Sequence, residues 1–137
     1  MKVFIDTNVL ISSVLFPKGK VATVFKHILE VHDLIISSYT IYECEKVFEK
    51  KFPEKIEYLK TFLGNISYEY YETPNIINKK NYPEIRDKND LPILVSAILS
   101  DADILITGDK DFEEIDLKKP LIFTPNRYYE LLVRKSN

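Results

Sequence analysis

Four acidic residues fall near the ends of apolar runs, a placement that would let them do chemistry together if those runs are strands of one parallel sheet. Asp6 directly follows the short run Val3 to Ile5, and Asp109 follows Ile104 to Ile106 by one short step. Glu43 lies a little over one turn into the helix expected after the run Leu34 to Ile36, and Asp90 stands at the entrance of the apolar stretch Leu91 to Leu99. Carboxylates gathered in one place repel one another unless a cation neutralises them or some take up protons. An all-oxygen donor set with room for water suits Mg²⁺ or Mn²⁺. Such a centre can activate water, orient a phosphodiester and stabilise a leaving oxygen. Thr7, Asn8 and Thr107 are placed to orient these acids by hydrogen bonds. A plainer reading is also open, because Asp6 and Asp90 could serve only as helix caps and Glu43 as a solvated helix residue. With 21 acidic residues in the chain, position alone does not choose between the two.

The elements that would position these residues follow from hydrophobic periodicity. Val3–Ile5, Leu34–Ile36, Ile104–Ile106 and Leu121–Phe123 are short apolar runs bounded by polar or turn-forming residues, the pattern of buried strands. Between them, Val9 to Leu15 reads as a short helix broken by Pro17 and Gly19. Val21, Val24, Phe25, Ile28 and Leu29 recur at helical spacing. Ser38 is the expected cap of a third helix, Pro53 the first turn of a fourth that ends at Gly64, and Pro125 the start of the last. Ser67 to Glu72 suggests an edge strand, and Thr73 to Asn89 a loop. Leu91–Leu99 is apolar nearly all round and implies a buried central helix. Strands alternating with helices indicate an α/β fold with three layers and a mainly parallel sheet. In an open sheet of that kind, ligands bind beyond the carboxyl ends of the strands, the edge where Asp6 and Asp109 fall.

Bulk properties bound the answer further. A chain of 137 residues with 45% hydrophobic and 29% charged residues fits one globular domain, residues 1–137. Its net charge of −2 excludes a global basic footprint for nucleic acid, so any positive charge serving RNA must be local or come from a bound metal. A single cysteine, Cys44, rules out an intramolecular disulfide and suits a cytoplasmic setting. Asp6 and Asn8 interrupt the first apolar stretch, which is too short to span a bilayer, so neither export nor membrane insertion is expected.

The segments carrying the four acids resemble the motifs of the PIN-domain family. FIDTNVLIS is similar to its first motif, SSYTIYECEKVF to the segment with its second acid, RDKNDLPILVSAI to that with its third, and ADILITGDKDF to its closing motif. All four occur in family order over about residues 2–125. Within the family they resemble the toxin components of bacterial and archaeal toxin–antitoxin pairs, relatives of VapC. The resemblance implies a divalent-metal-dependent endoribonuclease in which Asp6, Glu43, Asp90 and Asp109 are both catalytic and metal-binding. It further implies RNA as substrate, an antitoxin as partner and a homodimer. Asp87 is the alternative to Asp90. Asp111 is the alternative to Asp109, and is otherwise expected to act as a cap or supporting group while Phe112 packs inward. Pro92 and Leu94 depart from the small residues often found at that helix start, a change that a first helical turn tolerates.

Lys18, Lys20, Arg86, Lys88 and Lys110 flank the acidic motifs and are candidate phosphate contacts, although a solvated surface accounts for each equally well. Tyr68, Tyr70 and Tyr71 could stack bases but are expected to pack in a strand. His27 and His32 show no metal-ligand spacing and are expected at the surface, and Cys44 lacks a matching base for nucleophilic work. Two rivals remain. One is a phosphotransferase of the haloacid-dehalogenase kind using Asp6 as covalent nucleophile, which the Asn at position 8 disfavours because it removes the second acid. The other is a PIN fold that binds RNA or protein without cleaving.

Overall fold

The computed structural model describes residues 1–134. Five strands form one sheet: β1 (Lys2–Ile5), β2 (Asp33–Ser37), β3 (Glu69–Tyr71), β4 (Ile104–Ile106) and β5 (Leu121–Phe123). Every pairing is parallel, in the spatial order β3-β2-β1-β4-β5. Six α-helices accompany it among the described residues: α1 (Thr7–Leu15), α2 (Lys20–Val31), α3 (Ser38–Lys51), α4 (Ile56–Gly64), α5 (Leu91–Leu99) and α6 (Pro125–Tyr128), the last continued by a π-type turn over Tyr129–Val133.

The alternation of side chains along each strand divides the core in two. Val3 and Ile5, with Leu34, Ile36, Ile104 and Ile106, face one layer built from α1, α2, α3 and α4 with Tyr128. Phe4, Ile35 and Leu105 face the other layer, formed chiefly by α5 with Ile85, Ala102 and Phe112. The register sets Val3 beside Leu34 and Ile104, and Phe4 beside Ile35 and Leu105, so each face is a continuous apolar row. Both faces are covered, and that is why the strands read as unbroken apolar runs instead of alternating ones. One nine-residue helix dominates the second face, which explains why α5 buries six of its residues and carries no charge.

Local chemistry adjusts several expected boundaries. Ser37, not Ser38, caps α3: its side chain accepts from the Thr40 amide, while Ser38 Oγ accepts from the Thr73 amide at 2.9 Å. Pro53 opens a separate 3₁₀ turn, Pro53–Lys55, ahead of α4. The expected edge strand is the short β3, and the 73–89 segment is loop apart from a 3₁₀ turn at Lys79–Asn81 and the one beginning at Lys88. His27 is half-buried and bonds the Tyr128 hydroxyl at 2.8 Å, where a free surface histidine was expected. No helix among the described residues is long and apolar enough to cross a membrane.

Chain connectivity reverses at β1. From β1 the chain moves outward to β2 and β3 on one side, then returns to β4 and β5 on the other. Loops leaving β1 and β4 therefore diverge above a crevice at the carboxyl edge, the topological switch point at which open α/β sheets bind ligands.

Candidate active site

A cavity of about 300 Å³ opens at that switch point, and Asp6, Glu43, Asp90 and Asp109 all line it. Asp6 arrives there because β1 ends at Ile5. Its amide continues the ladder to the Ile106 carbonyl at 3.1 Å before the chain turns into α1. Its side chain is buried, with only 5% of the residue exposed. One oxygen accepts from the Val9 amide at 3.0 Å as the cap of α1, and the other accepts from the Thr107 hydroxyl. Burial pushes its pKa up to about 6, against the hydrogen bonds from Thr107 and Val9, and the charge of Asp109 adds to the rise.

Thr107 links two of the acids. Its hydroxyl donates to Asp6 and accepts from the Asp109 amide at 3.0 Å. Thr7 does the same service for Glu43, donating to Oε1 at 2.6 Å across from α1 to α3. Asn8 is exposed on the cavity wall. The capping and catalytic readings of Asp6 are thus not exclusive, since its carboxylate both caps α1 and faces the cavity.

Asp90 is different. It precedes α5 yet makes no side-chain cap hydrogen bond, and among the described residues no amide, hydroxyl or cation donates to its buried Oδ2, whose neighbours are other carboxylates. A buried acceptor left unpaired is costly and demands a reason. Burial first, then hydrogen bonding and charge from Asp109, with Asp111 and Asp87 contributing, pushes the Asp90 pKa up to about 8. Pro92 sits in the first turn of α5, where its missing amide proton is not needed.

Asp90 also belongs to a second group of acids. Carboxylate oxygens of Asp87, Asp90 and Asp111 lie within 4.8 Å of one another, a group that includes neither Asp6 nor Glu43. Asp111 is held there by Arg86, whose Nε donates to it at 2.5 Å. Of the two roles expected for Asp111, cap or supporting group, the cap is not its own. Asp109 caps the turn, accepting from the Asp111 amide at 2.9 Å, while Phe112 is buried. Asp87 likewise caps its own turn through the Asn89 amide. The donor set is all oxygen, one donor is orphaned and buried, and the cavity has room for water. These features fit a hard divalent cation, with Asp90 common to both groups of acids.

Cations are distributed otherwise than the sequence suggested. Lys18, Lys88 and Lys110 are exposed and, with Lys20 and Arg86, line no part of the acidic cavity. Lys20 instead donates to Asn126 at 2.9 Å and lies over the Tyr129 ring. The cation that lines the cavity is Lys46, on α3, together with Tyr39 and Tyr42. None of these three was singled out. The available signal was their spacing on the helix that carries Glu43, which puts Lys46 and Tyr39 within one turn of it on either side.

Fold and site together define a parallel α/β protein with a carboxylate-lined cavity at its switch point. The chain belongs to the PIN domain family, whose model matches residues 2–111. No curated protein sequence matches it. Among solved structures, it is similar in fold to a chain in the crystal structure of VapBC2 from Rickettsia felis bound to a DNA fragment from their promoter. That likeness has a TM-score of 0.66 and 18% identity, and covers 90% of this chain and 98% of that one.

Proposed function

We propose that the protein is a divalent-metal-dependent endoribonuclease, and that it is the toxin component of a toxin–antitoxin pair. The observation that carries the first part is the unpaired, buried Asp90 Oδ2 in a cavity lined by three more carboxylates. Membership of the PIN family, whose domains are generally nucleases, supports the same reading. Asp6, Glu43, Asp90 and Asp109 would hold Mg²⁺ or Mn²⁺, with Asp87 and Asp111 beside them. A cation bound there supplies polarisation of a phosphodiester oxygen and activation of water. The chain's own part is positional. Thr107 ties Asp6 to Asp109, Thr7 orients Glu43, and Asp90 stands at the entrance of the buried α5.

A covalent role for Asp6 is disfavoured because Asn8 stands where that chemistry needs a second acid as general acid. The toxin assignment rests on the fold likeness to a chain of the VapBC2 complex and on the sequence resemblance to toxin components. An antitoxin partner, a homodimer and a cytoplasmic location come with it. The deciding experiment is cleavage of a labelled single-stranded RNA by the wild type and by Asp6→Asn, with Mn²⁺ and with chelator. Cleavage only by the wild type with metal is expected. Equal cleavage by both proteins would remove the assignment.

A further inference from the structure

Lys46 shares a cavity with four acids, yet it forms no ion pair among the described residues. Its Nζ instead lies 5.1 Å from the ring centroid of Tyr42, one helical turn earlier on the same face of α3. Tyr42 is itself 57% exposed although it lines the cavity. Tyr39 and Tyr42 line not only the acidic cavity but also a second one, of about 380 Å³, whose other lining residues include Glu72, Thr73, Pro74, Ile77 and Pro92. The two tyrosines therefore form a wall common to both hollows. Tyr39 is anchored there, its hydroxyl donating to the Asn89 carbonyl at 3.1 Å. The Tyr42 ring, by contrast, is more than half exposed and has the Lys46 ammonium over it.

We infer that Tyr42 and Lys46 form a nucleotide subsite: an unpaired base next to the scissile phosphate stacks on the Tyr42 ring, and Lys46 moves off the ring onto a neighbouring phosphate. This rests on the nuclease reading of the acidic cavity. A polynucleotide with one phosphate at the acids must leave the site on either side, and the shared wall offers an exit into the second cavity. Aromatic rings hold bases of any identity by their faces, which gives affinity without sequence readout. Lysine suits the phosphate because its ammonium is a mobile point charge, and its attraction to the ring is weak enough to exchange. A base inside a duplex cannot lie on this ring without being unpaired first, so the subsite selects single-stranded over paired RNA.

Binding is measured with a short single-stranded RNA carrying 2-aminopurine, using Ca²⁺ in place of Mn²⁺, for the wild type, Tyr42→Phe, Tyr42→Ala and Lys46→Met. Both side chains are exposed, so the core is untouched, and circular dichroism checks the fold. The wild type and Tyr42→Phe should quench the fluorescence. Tyr42→Ala should bind about tenfold more weakly with the quenching lost. Lys46→Met should lower the dependence of log affinity on log salt by about one. In turnover with Mn²⁺, Tyr42→Ala should raise KM about tenfold and leave kcat nearly unchanged. The inference is overturned if the wild type does not quench, if Tyr42→Ala binds like the wild type, or if the loss is equal for duplex RNA. Quenching through Tyr42 without any cleavage would sink the nuclease reading and leave the subsite standing. Cleavage with an unchanged KM in Tyr42→Ala would do the reverse.

Discussion

At the amino end of β4, two aspartates are paired. Asp103 accepts from the Lys2 amide at 2.7 Å, and Lys119 bridges Asp101 at 2.9 Å and Asp103 at 3.5 Å. The hydrogen bond from Lys2 and the charge of Lys119 hold the Asp103 pKa below the ordinary range. At the carboxyl edge, where Asp6 follows β1 and Asp90 precedes α5, Asp6 is pushed up to about 6 and Asp90 to about 8. There the one lining cation among the described residues, Lys46, turns to a tyrosine ring instead of an acid. One residue type thus serves two purposes in one sheet. At the amino edge it ties loops down, and at the carboxyl edge it is crowded and buried at a cost that binding of a cation would offset.

The sharpest way to test the contrast is to ask which acid at the carboxyl edge matters most for turnover. Asp109 lines the cavity and is tied to Asp6 through Thr107, whereas Asp111 is neutralised by Arg86. We expect Asp109→Asn to lower RNA cleavage on the order of 100-fold or more, and Asp111→Asn at least tenfold less while lowering the melting temperature. Cleavage rates at saturating Mn²⁺ and thermal melts decide it. The opposite order would move the centre toward the Asp87, Asp90 and Asp111 group.

A second test uses pH. Raised pKa values mean that the folded state binds protons more tightly than the unfolded one between the two values. Their contribution to stability is therefore full below the ordinary aspartate value of 3.8 and is lost as pH rises through about 6 for Asp6 and about 8 for Asp90. In chelator, melting temperature should fall as pH is raised from about 4 to about 8, and added Mg²⁺ should restore it at the upper end. For the buried Asp6 the shift corresponds to about 3 kcal/mol. Asp6→Asn should flatten the lower part of the profile, and Asp90→Asn the upper part. A profile unchanged by both substitutions would mean that the acids are not crowded in solution.

Much of this arrangement was legible in the sequence, because strands buried on both faces announce themselves as short apolar runs and an almost wholly buried helix such as α5 carries no charge. Asp6 and Asp109 were legible for the same reason, each following such a run. What periodicity does not carry is the company a side chain keeps. Arg86 reaches Asp111 from 25 residues away in sequence, and this leaves capping to Asp109. The missing partner of Asp90 Oδ2 depends on how the preceding loop folds against the switch point. Lys46 resembles any exposed helix lysine until α3 is docked against α1. The one-residue error at Ser37 arose because either serine could cap, and Ser38 is drawn away by the Thr73 amide of a loop distant in sequence.

The smallest expected effect lies at the amino edge. Asp103 is partly exposed, and asparagine there retains an oxygen that can accept from the Lys2 amide, so Asp103→Asn removes only the charge. Exposed pairs contribute little and are screened by salt. The Asp103→Asn variant should melt within about 2 °C of the wild type at pH 7, with the gap closing at high salt, and should cleave RNA at the wild-type rate. The sign with pH is opposite to that at the carboxyl edge. A depressed pKa contributes stability above 3.8 that is lost as pH falls below it, so any difference between the variant and the wild type should vanish on acidification. A loss of turnover in Asp103→Asn without a loss of stability would break the division between the two edges, because it would mean that pairing at the amino ends is felt at the acids through β1 and β4.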